Sequence, residues 1–123
     1  RMAKEIAQKY PESMLHSYDN LDVEDISHCA DEGDDAAIEC MKQAGKLLGL
    51  GLATILAVLD MRVVVIGGGI SQSCPVFFES TLSTLKSRAL PTIAQLAEIR
   101  KAHFSHNAGL VGAAMLGRLR TGI

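Results

Sequence analysis

The residues of this 123-residue chain best placed to meet a ligand are three consecutive glycines, Gly67, Gly68 and Gly69, with Ile70 and Ser71 after them. They follow Arg62-Val63-Val64-Val65-Ile66, a β-branched apolar run that predicts a strand buried on both faces of a parallel sheet. Glycines at the carboxyl end of such a strand have no Cβ in the way, so backbone amides can approach a bound molecule closely. That is where open parallel sheets hold nucleotides. The stretch GGGISQS matches neither the dinucleotide-binding nor the P-loop phosphate pattern, so a tight strand-to-helix turn accounts equally well for the glycines taken alone.

The other reactive side chains form no constellation. His16, His28, His103 and His106 have no spacing that pairs them with a nucleophile, and they read as surface or core histidines. Cys29, Cys40 and Cys74 are odd in number and include no C-x-x-C pair, which argues against a disulfide framework or a zinc site and for reduced thiols. Cys74 lies near an expected helix start, where a thiol pKa can fall, but it reads first as a small residue. A second glycine-rich stretch, HNAGLVGAAMLG, reads as a helix opened by Asn107 as N-cap and flattened by Gly109, Gly112, Ala113 and Gly117 for packing against a neighbour.

The elements that must position these residues follow from periodicity. Met2, Ile6 and Tyr10 lie four apart before Pro11 and predict a short first helix. Asp22 caps an expected helix over about 22–32 that ends at Gly33. From Asp34 to Leu59 the apolar residues keep a three-four spacing, as in a long central helix; Gly45, Gly49 and Gly51 inside it imply another backbone close by. Pro75 to Leu90 predicts a helix with Phe78, Leu82 and Leu85 on one face, stopped by Pro91. Glu98 to Ser105 alternates as a half-exposed strand. Strand, helix and strand then make a parallel βαβ unit, and so small a sheet implies further strands elsewhere in the natural protein.

Length allows one domain, and 48% apolar against 21% charged residues describes a chain that folds. The net charge of -2 divides unevenly: residues 1–35 hold ten acids and three bases, residues 36–123 four acids and nine bases. Those nine bases neither cluster nor alternate with aromatics, so they read as a solvated surface and not as a nucleic-acid footprint. The strongly apolar run Leu47 to Leu59 covers 13 residues, too few to cross a bilayer, and no signal-peptide core follows the charged start. The expectation is a cytoplasmic protein. The chain opens on Arg1 rather than Met, as a piece of a longer protein would.

The succession ADEGDDAA, LGLGLATILAVLD, VVVIGGGIS and NAGLVGAAMLG, in this order and at these separations, resembles the C-terminal third of ROK proteins, which are bacterial sugar kinases and sugar-responsive repressors. The resemblance runs from about Met2 to Leu119. It implies an α/β fold, the C-terminal part of an actin-like ATPase (ribonuclease H-like) lobe, and gives Gly67, Gly68, Gly69, Ile70 and Ser71 the adenosine side of an ATP pocket. It implies ATP with Mg2+, a hexose substrate and a homo-oligomer for the intact protein, with nucleic acid as a partner only behind a helix-turn-helix domain. The family's D-x-G-x-T phosphate loop, its catalytic aspartate and its C-x-C-G-x-x-G-C zinc motif are absent from residues 1–123 and would lie upstream. Asp60-Met61 stands where the family often has proline, and His106-Asn107 where an acid commonly precedes Ala-Gly. Three functions stay open on the sequence: a segment of a sugar kinase, the sensing region of a repressor, or an interaction domain without nucleotide binding.

Overall fold

A computed structural model describes every residue except Ser105, His106 and Ile123, and for Thr121 the backbone alone. The order is α1 (Met2–Ala7), a 3-10 turn (Met14–Ser17), α2 (Val23–Asp31), α3 (Asp35–Leu59), β1 (Val63–Ile66), a 3-10 turn (Gly69–Gln72), α4 (Pro75–Arg88), the short α5 (Pro91–Ala94), β2 (Glu98–Lys101) and α6 (Ala108–Thr121). The chain is helix-rich with one small sheet, in which β1 and β2 pair in parallel from Val63 opposite Glu98 to Ile66 opposite Lys101. The expected βαβ unit is present, with α4 in the crossover.

Local chemistry sets the helix starts. At α2, the Asp22 carboxylate accepts from Asp25 N and Asp25 reaches back to Asp22 N, a reciprocal capping box. At α3, Asp34 caps Ala37 N at 2.9 Å and also accepts from Ser13 Oγ at 3.0 Å and Met14 N at 2.6 Å, which ties the first 3-10 turn to the long helix. Pro75 occupies the first turn of α4, where a missing N–H costs nothing. At its far end α3 stops on Asp60, which is left-handed at φ 49° and turns the chain toward β1.

The long helix is the axis of the molecule. A Cβ built on Gly45 would lie 2.5 Å from Phe77 O, and one on Gly49 2.6 Å from Thr81 O, so the backbones of α3 and α4 touch at these two glycines. Nothing stands near Gly51, whose expected close neighbour is absent because it points to the exposed side. One core joins α1, α2, the first half of α3, Cys74 and Phe77; a second joins Leu56, Leu85, Ile93 and Ala97 with Val64 of the sheet. On α4 the buried stripe is Phe77, Thr81 and Leu85 rather than Phe78, Leu82 and Leu85. Thr81 escapes detection by pattern because its hydroxyl donates to Phe77 O and so buries without cost.

Several expectations change at the sheet and beyond it. β1 is buried on one face only: Val64 packs against the Leu56–Leu85 cluster and Ile66 is buried, whereas Val63 is 44% and Val65 63% exposed, since no described element covers that side. The second strand ends at Lys101, not Ser105, because β1 runs out at the glycines; Ala102 N adds one last bond to Ile66 O. Ser105 itself lies outside the described residues. Asn107 precedes α6 as expected but makes no side-chain capping bond, and a Cβ built on Gly109 or Gly112 would meet nothing within 4 Å, so no packing against a described neighbour explains those two small residues. Pro91 does not merely follow α4 but opens α5. By length and composition alone α3 is long enough to cross a membrane, more than its 13-residue apolar core suggested, but here it is the helix against which α1, α2 and α4 pack.

Candidate functional site

The strand-to-helix connection at the end of β1 is built as the glycines suggested. Gly68 has φ 73° and ψ -166°, a conformation open in practice to glycine alone. The chain then closes a 3-10 turn in which Ser71 Oγ donates to Gly68 O at 2.7 Å and Ser71 N to the same oxygen at 3.1 Å. Ser71 is fully buried, so its hydroxyl stiffens the turn and is not offered to a ligand. Gly67 lies against Ala102, where an added Cβ would stand 3.3 Å from the Ala102 Cβ. Gly69 and Ile70 reach the surface of a cleft.

That cleft, about 630 Å³, lies between the turn and α2. Its loop wall is Gly69, Ile70, Gln72 and Ser73; its helix wall includes Glu24, Ser27, His28 and Asp31. The walls are joined where Cys74 N donates to Ser27 Oγ at 2.7 Å, both groups buried. Ile70 also borders a second, more apolar cavity of about 410 Å³ behind it, lined in part by Met41, Ala44 and Phe77. Of the five expected site residues, Gly69 and Ile70 line the cleft, Gly67 and Gly68 lead into the turn without lining the cleft, and Ser71 braces the turn. The contribution of α2 was not foreseen, because carboxylates on a capped helix read as a solvated face. Only the i, i+3, i+4, i+7 stripe of Glu24, Ser27, His28 and Asp31 carried a signal.

Chemically the cleft offers shape, backbone and acceptors. Among the described residues, Ser27 Oγ accepts from Cys74 N and His28 faces Glu32, so no hydrogen bond pairs a nucleophile with a base in the cleft, and no group of His, Cys, Asp and Glu could hold a metal ion. Cys29, Cys40 and Cys74 are buried thiols, and burial pushes the first two above the usual thiol range.

The family model described as the ROK family matches residues 3–119. The chain belongs to the ROK family. The glucokinase of Halalkalibacterium halodurans is 30% identical over 120 residues, which cover 94% of this chain and 36% of that protein. The DNA-binding transcriptional repressor Mlc of Escherichia coli is 26% identical over 104 residues, 85% of this chain and 25% of the repressor. Among solved structures, a ROK family glucokinase from Streptomyces griseus in complex with glucose and AMPPNP superposes with a TM-score of 0.79 at 27% identity, over 94% of this chain and 40% of that one. This ROK chain thus spans little more than a third of the glucokinases it matches. Its relatives are sugar kinases and a transcriptional regulator, and its fold is that of a region of the ROK sugar kinases, which are actin-like ATPases.

Proposed function

We propose that this chain is the C-terminal, nucleoside-binding segment of a cytoplasmic, ATP-dependent sugar kinase of glucokinase type. Catalysis would rest on sequence outside residues 1–123. The observation that carries this reading is the Gly67–Ser71 turn at the carboxyl end of a parallel strand, opening onto a cleft of about 630 Å³, a volume suited to a small organic ligand. The residues present fit one end of ATP. Backbone at Gly69 and the Ile70 side chain give an adenosine a flat apolar rest, whereas no lysine or arginine among the described residues lines the cleft to hold phosphates. Among the described residues no group of three or more His, Cys, Asp and Glu is placed to hold the Mg2+ ion accompanying those phosphates. Phosphoryl transfer needs a cradled triphosphate and a base at the sugar hydroxyl, and neither is among these residues.

The test is nucleotide titration of the intact protein and of its Gly68→Val variant. A branched side chain at φ 73° is strained, so the turn must reshape and ATP affinity should fall at least roughly tenfold. A folded variant with unchanged affinity would refute the assignment. A second reading, the sensing region of a repressor, is favoured by the match to Mlc. Sugar-dependent release from operator DNA by the intact protein, without ATP binding, would decide for it.

A further inference from the structure

The two walls of the cleft differ in kind, and the difference bears on which part of a nucleotide each can meet. The loop wall is backbone, Ile70, the Gln72 amide and Ser73, which is 5% exposed and whose buried hydroxyl has no hydrogen-bond partner among the described residues. The helix wall is an acceptor surface. The Asp22 carboxylate is engaged in the capping box and His28 faces Glu32 at 3.6 Å, but Glu24 and Asp31 are exposed and have no hydrogen bond or ion pair among the described residues.

An ionised carboxylate only accepts hydrogen bonds, so its partner must bring donors. A nucleoside brings them as the two ribose hydroxyls and, for adenine, an exocyclic amine. Phosphates at neutral pH bring acceptors and negative charge, which an uncompensated acidic wall repels. Resting on the nucleotide reading above, we propose that the α2 wall reads the ribose. The carboxylate of Glu24 or of Asp31 accepts from the 2′- and 3′-hydroxyls, and the same wall turns the phosphates out of the cleft toward solvent. Seven residues of helix separate the two by about 10 Å along α2, so one sugar meets only one of them. The other is left to face solvent or the base.

The experiment is an NMR titration of the chain with adenosine and with 2′,3′-dideoxyadenosine, repeated on Glu24→Gln and Asp31→Asn. Both positions are exposed, so the variants should keep the fold. Hydrogen bonds to a charged acceptor should make the native chain prefer adenosine by roughly tenfold. One of the two variants should bring that preference close to unity while leaving dideoxyadenosine affinity as it was. Equal binding of the two nucleosides by the native chain, or a preference retained by both variants, overturns the ribose assignment and leaves the nucleotide site standing. If neither nucleoside binds, both the ribose assignment and the nucleotide reading are overturned.

Discussion

The contact between α3 and α4 makes a prediction whose sign reverses over two residues. Gly→Ala within a helix ordinarily stabilises by about 1 kcal/mol. At Gly51, where nothing lies within 4 Å of a built Cβ, that gain should appear nearly in full. At Gly49 the same methyl would stand 2.6 Å from Thr81 O, 2.8 Å from the Thr84 Cβ and 3.1 Å from Leu85 N. Two of these atoms are backbone, so no rotamer change relieves the overlap and α4 must retreat by several tenths of an ångström. That movement loosens Phe77, Thr81 and Leu85 together, the buried stripe of α4. Overpacking of this kind costs about 1–3 kcal/mol, enough to exceed the propensity gain. Urea denaturation followed by circular dichroism should therefore place Gly49→Ala below the native chain by about 1–2 kcal/mol and Gly51→Ala above it by up to about 1 kcal/mol. Gly45→Ala should behave like Gly49→Ala, and the double variant should lose less than the sum, because a helix already displaced has room for the second methyl. A Gly49→Ala chain as stable as Gly51→Ala would refute the backbone contact.

Four further outcomes follow, three of them from single interactions. Asp34→Ala removes the α3 cap and the tie to Ser13 and Met14, and should cost about 2–3 kcal/mol in the same denaturation assay. Burial alone would raise the Asp34 carboxyl, but donors from Ala37, Met14 and Ser13 outweigh it and hold its pKa below the usual value; the stability this lends should be full above about pH 5 and lost as the pH falls through the depressed folded value, below about 4, in an acid titration of native and Asp34→Asn chains. Ser27→Ala strands the buried Cys74 N–H, so the Cys74 amide should exchange its hydrogen faster than in the native chain while α3 amides stay protected; equal rates would show the link between α2 and the turn to be idle. The chain alone should give no hexose phosphorylation above background in a coupled assay, and in sedimentation it should self-associate through the uncovered Val63–Val65 face and the exposed Leu110, Met115, Leu116 and Leu119 of α6; a strictly monomeric sample would count against this.

What could be read from the sequence was what local chemistry decides. Asp22, Asp34 and Pro75 mark helix starts through their own side chains, and the VVVI-GGG succession marks a strand end through conformational freedom. What escaped depends on partners distant in the chain. The Met14–Ser17 turn carries no periodicity that marks it in the sequence, because its organiser is Asp34, twenty residues away from the Met14 amide whose hydrogen bond it accepts. Gly51 was grouped with Gly45 and Gly49 because a glycine shows no facing direction until the helix is phased against α4. The strand was expected to be buried twice because an unbroken apolar run describes what its residues tolerate, not what is present to cover them. The helix wall of the cleft was hidden in the same way, since exposed acids look alike whether or not a loop stands opposite.

The turn at Asp60 has a consequence for tolerance to insertions. In most half-buried strands alternation protects the register, since a slip of one residue would bury polar groups. Val63-Val64-Val65-Ile66 has no such safeguard, because either pair would sit acceptably inward. Phase must come from the strand's two boundaries: the left-handed Asp60, with the Arg62 O bond to Glu98 N just beyond it, and Gly67 wedged beside Ala102. One residue gained or lost at Met61 or Arg62 would thus leave a chain of unchanged hydropathy whose glycine turn aims at the wrong side of the sheet.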